Sequence, residues 1–317
     1  MENENLQPTT LIEAVRYFAD PGTCMNFVAD LRWPNGPQCP KCNGVASQGV
    51  RLIPTRRIYE CKDKACKKQF SVKVGTIFED SPISLDKWLC GIWMIVNAKN
   101  GVSSYEIHRS LGVTQKTAWF MMHRIRLALQ RKSINKLRRE VEVDETYIGG
   151  KARFMHAEKK KDALIGKHSG ASGKAIVLGM LERKGNVHLR VVKNTTHDDL
   201  QPIIRKNVER GSEVFTDQWS SYEGLGAGYL HRVINHTEAY VKGRIHTNGI
   251  ENFWSLLKRG LKGTYISVEP FHLFRYLDEQ AFRFNARFGT DLDRFLSAVS
   301  SIAGRRLTYQ CLVGQTS

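Results

Sequence analysis

Three things are scarce in this 317-residue chain: acid relative to base, long apolar runs, and a hydrophobic leader. Asp and Glu number 31 against 48 Lys and Arg, a formal charge of +17. That imbalance argues against a cationic partner and for a polyanion, with nucleic acid ahead of an anionic membrane surface. No apolar run approaches the ~18 residues of a membrane span. The start, Met1 to Thr10, is polar and acidic, unlike a signal peptide. The compartment expected is therefore the cytoplasm, where free thiols persist. Internal repeats and low-complexity tracts are also missing. Hydrophobic residues make up 41%, which excludes a disordered chain, and the length allows two or three domains. The acid deficit is sharpest from Ile107 to Arg139, which holds nine Lys or Arg and no Asp or Glu. A solvated basic surface would account for it, but phosphate contact accounts for it better.

Of the seven cysteines, four form two pairs. Cys39 and Cys42 have two residues between them, Cys61 and Cys66 have four, and 18 separate the pairs. This is zinc-ribbon spacing: each tight turn offers two thiolates, and two such turns close a tetrahedron around one structural Zn²⁺. A disulfide framework is the rival and fits poorly with a large basic cytosolic chain. Four thiolates leave no open coordination position, so such a metal would fold the module without catalysing anything. Strands near Val50–Ile53 and Arg57–Glu60 would bring the pairs together. Cys24, Cys90 and Cys311 fall outside the pattern.

Around the ribbon the periodicity is helical. Two short helices are expected between residues 8 and 32. Thr10 and Glu13 would form a capping box on the first, with Leu11, Ile12, Val15 and Phe18 on its inner face. A helix from Leu85 to about Lys99 would bury Trp88, Leu89, Ile92, Trp93 and Val96. Ser103 to Leu111, a turn at Gly112-Val113, and Thr114 to about Gln130 make a helix-turn-helix pattern. Gln115, Lys116 and Thr117 would then begin the recognition helix, and His123, Arg124 and Arg126 would meet phosphates. A plain helical connector is the alternative.

The centre of the chain is Val141-Glu142-Val143-Asp144-Glu145-Thr146-Tyr147-Ile148-Gly149-Gly150. It alternates as a strand and carries acids in its middle, a costly arrangement unless a cation or donor meets them. Lys151 to Gly173 reads as a loop with Lys159-Lys160-Lys161. A hairpin follows, Lys174–Leu181 with Val187–Val192, then a helix from Thr196 to about Val208. A buried strand over Glu213–Thr216 ends at Asp217, and another strand lies at Arg232–Ile234. A helix beginning at Glu251 has Lys258 two turns on and on nearly the same face. The order strand, strand, strand, helix, strand suggests a ribonuclease H-like mixed sheet with flanking helices, in which the first and fourth strands are neighbours. Asp144 and Asp217 would then lie close together. Glu142 and Glu145 rival Asp144; 142 and 144 share a face of the strand and 145 takes the other. His246 and Asn248 cap a loop or touch substrate. Trp219 and Tyr222 are expected to pack the site, and the aromatic helix Phe271–Arg287 to be core.

Together the four-cysteine ribbon, the helix-turn-helix, Val143-Asp144-Glu145-Thr146-Tyr147-Ile148-Gly149-Gly150, Thr216-Asp217-Gln218-Trp219-Ser220-Ser221-Tyr222 and His246-Thr247-Asn248-Gly249-Ile250-Glu251-Asn252-Phe253-Trp254-Ser255-Leu256-Leu257-Lys258 resemble the zinc-ribbon DDE transposases of bacterial insertion sequences, relatives of the eukaryotic Merlin elements. The resemblance covers roughly residues 10–290. It implies Asp144, Asp217 and Glu251 as a catalytic triad, with Lys258 as companion. Two Mg²⁺ or Mn²⁺ ions held by these carboxylates would serve cleavage of element ends and transfer of the 3′-hydroxyl to target DNA. Double-stranded DNA is the expected partner, with a homodimer or larger assembly on it. A DNA-binding regulator descended from such an enzyme, or a repair or junction nuclease of the same fold, are the alternatives. The expected organisation is helices and ribbon over 1–72, helix-turn-helix over 73–135, catalytic domain over 136–290 and a tail over 291–317.

Overall fold

The computed structural model describes residues 7–43, 49–130, 135–150, 173–217, 220–234 and 246–315. The chain forms two compact units: Met1–Arg131 with Ala286–Ser317, and Lys132–Asn285. Among the described residues, no helix is long and apolar enough to cross a membrane. The Lys159-Lys160-Lys161 loop and Trp219 lie outside the described residues.

In the first unit, α1 (Leu11–Tyr17) has the expected capping box between Thr10 and Glu13. Its inner face differs from expectation. Leu11, Ile12 and Val15 are exposed, whereas Ala14 and Phe18 are fully buried. A helix of two turns presents too short a stripe for periodicity to fix its orientation; the ring of Phe18, just past its end, does so instead. α2 (Pro21–Arg32) is opened by Asp20, whose carboxylate accepts the Thr23 N–H, and it buries Met25, Phe27 and Val28. β1 (Val50–Ile53), β2 (Ile58–Cys61) and β3 (Gln69–Phe70) make an antiparallel sheet; the third strand was too short to show in the sequence. α3 (Leu85–Asn97) buries the expected Trp88, Leu89, Ile92, Trp93 and Val96. α4 (Ser104–Leu111) and α5 (Gln115–Leu129) are joined through Gly112, whose left-handed φ of 59° is one that glycine adopts most readily. The stretch expected as a tail contains a helix, Asp291–Val299. Its Phe295 is the hub of an aromatic cluster, with ring centroids 5.7 Å from Phe18, 5.8 Å from Phe27 and 5.0 Å from Trp93.

The second unit is built on a five-stranded mixed sheet of order β6-β5-β4-β7-β8. β4 (Glu140–Ile148) is central. β5 (Ala175–Glu182) runs antiparallel to it and β6 (Val187–Val192) antiparallel to β5. On the other side β7 (Glu213–Asp217) is parallel to β4, and β8 (Leu230–Ile234) is parallel to β7. The first and fourth strands of this unit are neighbours, as the element order implied. One face of the sheet carries Val141, Val143, Leu178, Met180 and Val214, which pack on Leu200 and Ile204 of α6 (His197–Asn207). The other face carries Val177, Leu181, Val187 and Leu189, covered by Ile250, Phe253, Trp254 and Leu257 of α7 (Asn248–Gly260) and by Leu273, Tyr276 and Leu277 of α8 (Leu273–Asn285). Each such large apolar side chain contributes about 1.5–3 kcal/mol when taken from water. The aromatic stretch expected as core is divided: Tyr276 and Phe282 are buried, but Phe271 and Phe274 are exposed.

Candidate active site and metal centre

The four paired cysteines converge. Their sulfurs all lie within 4.8 Å of one another. Cys39 is 3.6 Å from Cys66 and Cys42 is 3.4 Å from Cys61. A tetrahedral zinc with Zn–S bonds of about 2.3 Å separates its sulfurs by about 3.8 Å, whereas a disulfide needs about 2 Å. The donor set therefore fits zinc. Tight turns deliver each pair: Asn43 N–H donates to the Cys39 carbonyl at 2.8 Å, and Cys66 N–H donates to the Asp63 carbonyl at 3.0 Å.

On the sheet, the face of β4 under α7 presents Glu142 and Asp144, two residues apart and in very different company. Glu142 is 1% exposed. Its carboxylate accepts the Ile250 N–H at 2.9 Å, one of the free donors at the start of α7, and the Arg183 Nε at 2.8 Å. Arg183 also donates to the His246 carbonyl at 2.7 Å, and its guanidinium lies 4.0 Å from the centre of the Phe215 ring on β7. One side chain thus ties β4, β7 and the approach to α7 together. Gly249 belongs to this contact rather than to a turn: a Cβ there would stand 2.7 Å from the Glu142 oxygen. His246 is accordingly a neighbour of the Glu142–Arg183 pair.

The two hydrogen-bond donors that meet Asp144 are both neutral. Its Oδ2 accepts the Trp254 indole N–H at 2.8 Å and its Oδ1 accepts the Glu145 N–H at 2.7 Å. The indole reaches it across Gly179, the residue opposite Asp144 on β5; a Cβ at 179 would fall 2.5 Å from the ring. Burial, then the like charges of Asp217 and Glu251, push the Asp144 carboxyl up to about 6 against the pull of the Trp254 hydrogen bond. The β4–β7 register runs Glu140 opposite Glu213 and Glu142 opposite Phe215. The paired stretch ends there; Asp144 and Asp217 each lie two residues beyond it, on the same faces of their strands as Glu142 and Phe215. Glu251 lies in the first turn of α7 and accepts the Thr247 hydroxyl at 3.1 Å. Lys258, two turns further along α7, is half-buried. Glu145 turns to the opposite face, towards Tyr222, which is 1% exposed. Burial pushes the Glu145 carboxyl up to about 7, the Tyr222 hydroxyl opposing this and the charges of Asp144 and Asp217 adding to it.

The residues expected to touch DNA separate into two groups. At the start of α5, Lys116 is exposed, Gln115 donates to the Ser104 hydroxyl at 2.8 Å, and the Thr117 hydroxyl meets that of Thr114 at 2.8 Å. Arg124 and Arg126, expected on the surface, are instead buried, at 5% and 1% exposed, and His123 is buried with them. Arg124 donates to the Leu307 carbonyl at 3.0 Å and stacks on Phe120. The C-terminal segment that Arg124 meets carries no periodic signal, so this contact could not be read beforehand.

Known proteins resemble this chain in both units. The transposase zinc-ribbon domain matches residues 20–69, and the ISXO2-like transposase domain matches residues 136–285. A protein of Halobacterium salinarum described as an uncharacterized protein in transposable element ISH50 is 25% identical over 258 residues, 78% of this chain and 85% of that protein. An uncharacterized transposase-like protein of Haemophilus influenzae is 37% identical over 103 residues, 32% of this chain and 83% of that protein.

Proposed function

The chain belongs to the zinc-ribbon DDE transposases of the IS1595 type, and on that premise we propose that Asp144, Asp217 and Glu251 are its catalytic carboxylates. The reading is that it binds the terminal inverted repeats of its element, cuts phosphodiester bonds there, and joins the freed 3′-hydroxyl to target DNA. The five-stranded sheet is read as ribonuclease H-like. The observation that carries the proposal is the partly buried Asp144, its carboxyl pushed up first by burial and then by the charges of Asp217 and Glu251, on the strand next to that of Asp217. Like charges gathered in this way are relieved by a hard cation, and an all-oxygen donor set suits Mg²⁺ or Mn²⁺. Held by Asp144, Asp217 and Glu251, two such ions would supply an activated oxygen nucleophile and relief of charge on the leaving oxygen.

The protein's own groups do the rest. Trp254 and the Glu145 N–H fix both oxygens of Asp144, so the carboxylate is oriented before anything binds. Arg183 and Glu142 hold the start of α7, and with it Glu251, against the sheet. Lys258 is read as steadying a phosphate near the scissile bond. In the first step a water oxygen bonds to phosphorus as the 3′-oxygen leaves. In the second that hydroxyl attacks a target phosphodiester, one bond forming as another breaks, so no ATP is needed. Gln115, Lys116 and Thr117 are read as contacts to DNA bases, and two protomers or more as the unit that pairs two ends.

The experiment is cleavage of a duplex carrying the element's end, with Mg²⁺ or Mn²⁺. Asp144→Asn, Asp217→Asn and Glu251→Gln should each abolish cutting while end binding persists. Cutting that survives Asp144→Asn overturns the assignment, and cutting without strand transfer would point to a nuclease instead.

A further inference from the structure

The segment after α7 holds a side chain that the fold itself does not need. α7 passes into a single π-helical turn, Leu261–Tyr265, and the chain then reverses at Ile266. There φ is 62° and ψ is −61°, and the Ser267 N–H donates to the Tyr265 carbonyl at 2.6 Å. This is a γ-turn of the strained, positive-φ kind, a conformation that a β-branched residue disfavours more than almost any other. Glycine would occupy it freely. Ile266 is nevertheless 82% exposed, so it gains nothing from burial in return.

The turn is held firmly on both sides. Leu261 is buried, and Tyr265 and Val268 pack against the core of the unit. The Tyr265 hydroxyl donates to Glu279, itself wholly buried and paired with Arg283, and its ring meets Tyr276 edge-on at 4.8 Å. The apex is thus a rigid apolar point rather than a loose loop. Along the chain beside it, Arg259 and Lys262 are exposed cations and Lys258 is half-buried; Glu269 is an exposed acid, whereas Arg275 and Glu279 are buried.

We infer that Ile266 is a wedge that inserts between stacked bases of duplex DNA while the neighbouring cations hold the phosphates. Apolar side chains on stiff supports unstack a base step in this way when they enter from the minor groove, and the duplex kinks toward its major groove. A strained, exposed, immobilised apolar residue in a basic setting fits that partner better than a protein surface. The inference rests on the reading that this unit cuts DNA, because the wedge lies on the continuation of the helix that carries Glu251 and Lys258.

The test uses the full-length, zinc-loaded protein and a short duplex cut from the DNA flanking its gene, with 2-aminopurine at successive steps. In calcium buffer, wild-type protein should raise the fluorescence at one step. Ile266→Ala and Ile266→Gly should abolish that rise while binding the duplex as before, and Ile266→Gly, freed of strain, should melt no lower than wild type. In Mg²⁺ the variants should cut the intact duplex at least about tenfold more slowly, equivalent to about 1.4 kcal/mol, and regain the rate when that step is mismatched. No rise with wild type, a rise that persists in Ile266→Ala, or a change of oligomeric state without DNA would each overturn the wedge. Unstacking without cutting would sink the reading of the active site and leave the wedge; cutting without Ile266-dependent unstacking would do the reverse.

Discussion

Asp144→Asn should make the magnesium-free protein more stable at pH 8 while removing its proposed activity. Asp144 titrates in the folded chain at about 6, above its ordinary 3.8. A carboxyl whose pKa rises on folding stabilises the native state only when protonated. Its cost is absent below about pH 4, grows between pH 4 and pH 6, and is constant above that. At 1.36 kcal/mol per unit, the full cost at neutral pH is about 3 kcal/mol. Asparagine removes the charge but keeps one oxygen. It satisfies either the Trp254 indole N–H or the Glu145 N–H, and the lost acceptor costs about 1–2 kcal/mol.

The net expectation is a gain of about 1–2 kcal/mol, or about 2–8 °C in the melting of the unit Lys132–Asn285. The measurement is thermal unfolding of both proteins from pH 4 to pH 8 in magnesium-free buffer, without a chelator that would strip the cysteine site. The variant should be the less stable at pH 4, by the lost acceptor, overtake the wild type as pH rises from 4 to 6, and then hold its lead. A variant ahead by the same amount at pH 4, or less stable at pH 8, would refute the account of Asp144 as a strained, uncompensated charge. Mg²⁺ or Mn²⁺ affinity of the wild type should strengthen over the same interval, because the ions compete with that proton.

Other substitutions test the frame around the site. Gly179→Ala places a methyl 2.5 Å from the Trp254 ring; it should cost about 1–3 kcal/mol in urea unfolding and shift tryptophan fluorescence, and an unchanged midpoint would count against the packing described. Arg183→Ala strands the buried Glu142 charge and should cost about 3–5 kcal/mol. Adding Glu142→Gln to that variant should recover part of the loss, and strict additivity would deny the pair its coupling. Cys39→Ser should release the zinc to a chromogenic chelator and expose the ribbon to protease; a variant that keeps its metal would remove Cys39 from the ligand set.

What the sequence disclosed and what it withheld follow from the range of the interactions. The β4 strand, the β5–β6 hairpin and the neighbouring of β4 with β7 were legible because alternation is local and element order limits topology. The cysteine cluster was legible because its spacing is a complete instruction. By contrast, Arg124 and Arg126 are expected to meet phosphates because they follow the helix-turn-helix pattern within a basic run. Both are buried, and Arg124 meets the Leu307 carbonyl, nearly two hundred positions away. The helix Asp291–Val299 was missed for a related reason: Phe295 makes sense only once Phe18, Phe27 and Trp93 are assembled around it.

The hardest distinction lay between Glu142 and Asp144. Both are acids on one strand and one face, so neither charge nor periodicity separates them. Their partners do. Glu142 has an arginine and a helix N–H and is balanced as it stands. Asp144 has two neutral donors and two further acids near it, and is not. A balanced buried carboxylate holds a fold together, and adding a divalent ion there would break what it already has. An unbalanced one is poor for stability and suited to an incoming cation. The compensation of the first is also what fixes the second in place, since Arg183 and the start of α7 set where Trp254 and Glu251 stand relative to β4.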